Sequence, residues 1–172
     1  LAQCNSLCVE WHWHNEFEFS FVKEGTVACH IGANRIQLCA GDAIFINSET
    51  IHHFESESSG ILINFIFSPE FIAERTSIIY EKYVLPFLNS DLEYSAYFME
   101  NYSANNKNIA DALKDTCSAV NSNCFGKELH IRNAISNLWL VFSKCTLDTL
   151  STFQKSRNKT LQSRLHEMMT YI

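Results

Sequence analysis

Hydrophobic and polar positions alternate through the first third of the chain. In Cys8-Val9-Glu10-Trp11-His12-Trp13-His14, a repeat of two residues puts Trp11 and Trp13 on one face and His12 and His14 on the other. Glu16 to Val22 continues the pattern. Phe17, Phe19 and Phe21 are opposite in parity to Glu18 and Ser20 and should pack outside the sheet they form, against other elements. Glu24-Gly25 turns the chain into Thr26 to Ile31, which reads as a hairpin. Gly32-Ala33-Asn34 and Ala40-Gly41-Asp42 precede two more strands, Arg35 to Cys39 and Ala43 to Ile46, and others are expected around Ile51 to Phe54 and from Ile61 to Phe67. Short strands at this spacing predict an antiparallel barrel or sandwich.

The period then changes. Ser68-Pro69-Glu70 is a helix-start signal, and residues 71–85 should be partly helical, stopping near Pro86. Residues 89–105 show no clear period. Ile109, Leu113, Cys117 and Val120 repeat at helical spacing; beyond Gly126, Ile131, Ile135, Leu138, Phe142 and Cys145 share the face of a second helix. The run Leu138-Trp139-Leu140-Val141-Phe142 wraps more than one turn, which predicts burial on two sides. A homodimer through the helix at about 128–145 is therefore expected, with Ile131, Ile135, Leu138, Trp139 and Phe142 at the interface. Residues 149–160 are polar and carry Lys155, Arg157 and Lys159, the composition of a linker; Leu161, Leu165, Met168, Met169 and Ile172 begin another amphipathic helix. The expected organisation is a β-barrel over 1–68, a helical dimerisation segment over 69–148, and a linker with the start of a further domain over 149–172. A chain that opens on Leu1 in this way reads as a piece of a longer protein.

The net charge of −6 repels phosphate, so this segment is not expected to grip nucleic acid itself. Seven cysteines without a C-x-x-C pair read as free thiols in a reducing cytoplasm. No apolar run is long enough to cross a bilayer, and no phosphate loop or nucleophile triad stands out.

The chemistry is concentrated in H-x-H-x-x-x-E, which is His12, His14 and Glu18, with His52 as a fourth group that a partner strand can bring in. Three imidazoles and a carboxylate suit Zn, Fe, Ni or Mn. The same residues, with Ser20 and Cys29, can instead line a metal-free pocket for a small molecule bearing hydroxyls. His53 should face away from His52, and His30 and His130 read as ordinary exposed or hydrogen-bonded residues.

These positions resemble the two sequence blocks of the cupin superfamily. His12, His14, Glu18 and Gly25 match the first, and Gly41 and His52 match the second. Ser6 stands where the first block begins with Gly; Asn47, Glu49 and Ser56 stand where the second has Pro, Gly and Asn. From these departures no stoichiometric metal and no other cofactor is expected. The order of the parts, a barrel, two amphipathic helices and then a basic linker, is similar to the sensor half of AraC-type transcription regulators. That resemblance implies a mainly β fold with α: a cupin-like double-stranded β-helix followed by dimerisation helices. It also implies a small effector, sugars being a common class, and DNA binding only through a further C-terminal domain. Catalytic residues are not expected. The other readings are a metal-dependent cupin enzyme, an oxygenase or isomerase using His12, His14, Glu18 and His52, and a dimerisation module without a ligand.

Overall fold

The computed structural model describes residues 7–56, 59–89, 96–99 and 107–147. The linker and truncated helix expected over 149–172, and Ser6, lie outside these residues. One four-stranded antiparallel sheet has the order β1-β6-β3-β4, from β1 (Cys8–His12), β6 (His52–Glu55), β3 (Thr26–Ile31) and β4 (Asn34–Cys39). The second has the order β7-β2-β5-β8, from β7 (Ile61–Phe67), β2 (Phe17–Glu24), β5 (Ala43–Ile46) and β8 (Ala96–Met99). Two antiparallel sheets, as the alternation predicts, with helices after the strands make up the cupin-like, mixed β-and-α arrangement that the resemblance implies.

Residues directly opposite one another in an antiparallel pair share a face. Glu18 pairs with Ile46 and Ile66, and Ser20 with Ile44 and Asn64, so these line the face turned toward the other sheet. Between the sheets, Val22, Val27, Cys29, Leu38, Ile44, Ile46 and Phe54 form one apolar core. Phe17 and Phe19 lie on the opposite face, with Phe45, Phe65 and Phe67, in a second core. That core is closed by α3 (Lys107–Asn121) and by a further helix, α4, over 127–147. The outward packing expected of Phe17 and Phe19 is what the structure shows.

Several expectations change. β2 and β3 are not a hairpin: β2 pairs with β5 and β7, and β3 with β4 and β6. Gly25, at φ 75°, carries the chain from one sheet to the other, and a Cβ there would lie 2.2 Å from the Ser59 carbonyl oxygen. The β3–β4 connection is the tight hairpin, with Ile31 opposite Asn34 across Gly32-Ala33. Ser68 caps a 3-10 turn at Pro69–Phe71, accepting from Glu70 N–H. Helix α1 follows (Ile78–Tyr83), but Pro86 sits in the first turn of α2 (Leu85–Leu88), where its missing N–H has no partner to lose. Residues 96–99, within the stretch that had no readable period, extend the second sheet as β8.

The residues expected at a subunit interface are interior. Ile135, Leu138, Trp139 and Phe142 are buried in the protein's own core, and Ile131 packs partly buried against it. The phenylalanine face of β2 needs a cover, and α4 supplies it. Leu140, in the same apolar run, remains 62% exposed, so the run wraps from the core out to solvent.

Candidate functional site

β1 ends at His12, and His14 lies in the connection to β2. The turn over residues 47–50 holds that connection: Glu49 N–H donates to the His14 carbonyl at 2.8 Å, and Ser48 Oγ donates to the Asn15 carbonyl at 2.9 Å. Glu49 adopts φ 61°, the left-handed region, to make this turn. Asn47 donates from Nδ2 to the Phe87 carbonyl at 2.7 Å, and Ser56 Oγ to the Thr26 carbonyl at 2.5 Å. The positions that depart from the second cupin block therefore brace the barrel and contribute no donor.

His12, His14, Glu18 and His52 come together, with one donor atom from each lying within 4.8 Å of the others. Glu18 and His52 are fully buried; His12 and His14 are half-buried. The three rings are oriented alike. His12 Nδ1 lies 2.7 Å from the Glu10 carbonyl oxygen, His14 Nδ1 3.1 Å from that of Glu16, and His52 Nδ1 2.8 Å from that of Thr50. A carbonyl oxygen only accepts, so each Nδ1 carries a hydrogen and each neutral ring leaves Nε2 as a lone pair. Backbone carbonyls thus fix the rings with Nε2 available, the orientation found in metal-ligating histidines.

Those nitrogens meet a carboxylate. Glu18 Oε2 lies 3.0 Å from His14 Nε2 and 3.2 Å from His52 Nε2, and the second contact is not a regular hydrogen bond. Ser20 Oγ donates to Glu18 Oε1 at 2.5 Å and lies 3.2 Å from Asn64 Oδ1. A hydroxyl has one proton, so the Asn64 contact is satisfied when that amide turns its NH2 toward Ser20. Lone pairs facing a carboxylate at 3 Å repel, so the arrangement requires a proton or a cation at its centre. Burial pushes the Glu18 carboxyl up, but contacts from His52, Ser20 and His14 outweigh it and leave the group below its ordinary range. Burial pushes His52 down, while Glu18 and the Thr50 carbonyl raise it to a net value above the ordinary histidine range.

Of the residues expected in the pocket, the structure brings together His12, His14, Glu18, Ser20 and His52. Cys29 sits in the inter-sheet apolar core, and burial, with the Glu18 charge, pushes its thiol up to about 12, which keeps it protonated. The polar group around Glu18 therefore adjoins the apolar core that holds Cys29, Ile44 and Ile46. Asn64 was missed; it is the lone amide in an apolar strand, at the parity that places it opposite Ser20. Asn64 and Ile66 are exposed although they lie on the inner face, so solvent reaches this end along β7.

Residues 8–66 match the family described as Cupin domain. The protein YdeC of Bacillus subtilis (strain 168), described as an uncharacterized HTH-type transcriptional regulator, is 29% identical over 133 residues, covering 74% of this chain and 44% of its own length. An apo variant of ToxT from Vibrio cholerae superposes with a TM-score of 0.52 at 10% identity, over 84% of this chain and 53% of its own. A second ToxT structure gives 0.51 at 15% identity, over 85% and 56%. The AraC-like transcriptional activator CuxR gives 0.47 at 8% identity, over 74% and 43%. The chain thus spans about half the length of these relatives. Among the described residues no helix is long and apolar enough to cross a membrane. Residues 8–66 thus match the Cupin domain family, in a chain that is similar to an HTH-type transcriptional regulator of Bacillus subtilis and whose fold is like that of ToxT from Vibrio cholerae.

Proposed function

We propose that this chain is the effector-sensing domain of an AraC-type transcription regulator, not an enzyme, and that its ligand binds at the Glu18 end of the barrel. The observation that carries this reading is the buried carboxylate held among three imidazoles, a hydroxyl and an amide on a face that solvent reaches along β7. A small polar effector, a sugar among the candidates, would place hydroxyls between these groups, with Glu18 accepting and Ser20 and Asn64 completing the set. Homodimerisation, a cytoplasmic location and promoter binding through a domain outside this chain belong to the same proposal. The test is a thermal-shift screen of sugars and small metabolites on the wild type, Glu18→Gln and His14→Ala. A ligand that stabilises the wild type and loses most of that shift in both variants supports the assignment. One that stabilises all three equally places the site elsewhere.

A second reading is favoured by the ring orientations, which leave three Nε2 lone pairs converging on Glu18. Here His12, His14, Glu18 and His52 would hold a divalent transition metal, which would supply a Lewis-acidic position for oxygen atoms of the effector. Elemental analysis after gentle purification decides it: one equivalent in the wild type and none in a His14→Ala/His52→Ala double variant supports the metal. Turnover of a small substrate by the loaded protein would favour the oxygenase or isomerase reading over the sensor.

A further inference from the structure

The outer face of the β1-β6-β3-β4 sheet carries a second convergence of donors. His30 on β3 and His53 on β6 stand directly opposite one another, and Glu55, two residues beyond His53, shares their face. His30 Nε2 lies 2.8 Å from Glu55 Oε1, and His53 Nε2 lies 3.6 Å from Glu55 Oε2. One donor atom from each of the three lies within 4.8 Å of the others.

The orientation of His53 is fixed from behind. Its Nδ1–H donates to the Val9 carbonyl at 2.7 Å, so in the neutral ring the Nε2 lone pair faces the carboxylate. Trp11 stacks on His53 with ring centroids 5.4 Å apart and meets His30 edge-on at 6.1 Å, which closes one side of the group. Contacts with His30 first, and then with His53, hold the Glu55 carboxyl below its ordinary range, so it is available as an anion. Strand alternation keeps this group apart from the interior one: His12 and His52 point in, Trp11 and His53 out.

We propose that His30, His53 and Glu55 form a second divalent-metal site on the protein surface, one that takes Zn2+ or a similar imidazole-preferring ion. Two imidazoles and one carboxylate suit zinc, nickel and copper, whereas magnesium and calcium prefer oxygen donors. His30 joins by moving its proton to Nδ1, releasing Nε2 to the ion. Val9 is the backbone group that orients His53, and the solvent side leaves room for water ligands. Arg35, half-exposed with Nε 3.8 Å from Glu55 Oε1, is the competing cation. The proposal does not rest on the interior site.

The test is calorimetric titration of the chain with zinc sulfate, following the number and affinity of sites. In His53→Gln one class of site should disappear or weaken by about tenfold or more, since losing an outer-shell partner alone costs that much. His14→Ala should leave the same class unchanged, which separates it from the interior donors. Zinc binding by His53→Gln identical to that of the wild type overturns the proposal. Arg35→Gln guards against misfolding, because Arg35 is exposed and its loss leaves the donors intact. Removing that competing charge should tighten the site severalfold; an unchanged or weaker affinity in Arg35→Gln also overturns the proposal.

Discussion

Replacing Trp139 by Ala separates a core residue from an interface residue. Trp139 is 2% exposed and stacks on Phe17 with centroids 4.7 Å apart and planes 9° from parallel. It meets Phe87 at 4.8 Å, Phe142 at 5.7 Å and Phe45 at 5.8 Å, and its Nε1–H donates to the Tyr83 carbonyl at 3.0 Å. Truncating a buried aromatic costs about 3–5 kcal/mol. The stranded Tyr83 carbonyl adds about 1 kcal/mol. Against a typical stability of about 5–15 kcal/mol, that is enough to leave the variant marginally folded. Leu140→Ala is the internal comparison: one position along the same helix but 62% exposed, it should change stability by no more than about 0.5 kcal/mol. Urea unfolding at two protein concentrations is the assay. A core role predicts the same loss for Trp139→Ala at both. A loss below about 1 kcal/mol, or one present at only one concentration, would refute the packing argument and return Trp139 to a subunit interface.

The glycines give a graded prediction. Gly25→Ala should cost at least about 1–3 kcal/mol from backbone strain alone, because its φ is 75° and the added Cβ meets the Ser59 carbonyl oxygen at 2.2 Å. Gly32→Ala, with nothing within 4 Å, should cost less; equal losses in urea unfolding would refute the close approach. In metal-free protein, the lowered Glu18 carboxyl contributes stability that is present above the ordinary carboxylate range and lost as pH falls through its lowered value. The raised His52 imidazole contributes stability that is complete below the ordinary histidine range and lost as pH rises through its raised value. Stability should therefore peak in the mildly acidic window between these limits, and His52→Gln should remove the alkaline fall. An unchanged profile in His52→Gln would refute the pairing.

The barrel was legible in the sequence because period-2 alternation is a local signal. It placed Glu18 and Ser20 on one face of β2 and Phe17 and Phe19 on the other, and the structure agrees. The four donors were legible for the same reason: parity survives even where the strand ends early, as it does at His12. What failed was what alternation cannot report. A turn at Gly25 reads alike whether it closes a hairpin or crosses between sheets, and only the strand pairing, β2 with β5 and β7 but β3 with β4 and β6, distinguishes the two. The apolar run around Trp139 gives the width of a buried surface but not how it divides between the chain's own core and a second subunit; Ile135, Leu138, Trp139 and Phe142 all go to the core. His30, His53 and Glu55 belong to two strands far apart in sequence, and no spacing rule joins them.

For the proposed sensing role, the route from the Glu18 site to the helical layer matters more than the site alone. β2 bears Glu18 on one face and the rings that stack on Trp139 on the other, but it is paired on both sides and is a stiff element. β1 is an edge strand with an irregular register between Val9 and His12, so the site can close by moving His12 and the connection that bears His14. That connection is not free to move alone. The His14 and Asn15 carbonyls are tied to Glu49 and Ser48, the neighbouring Asn47 donates to the Phe87 carbonyl, and the Phe87 ring lies 4.8 Å from Trp139 of α4. A ligand that draws His14 inward therefore pulls on the turn at 47–50 and, through it, on the helix that packs against Trp139. Contact along a path is not coupling by itself. The ligand must bind one arrangement of this chain of contacts more tightly than another, and the size of the response is limited to that difference in affinity.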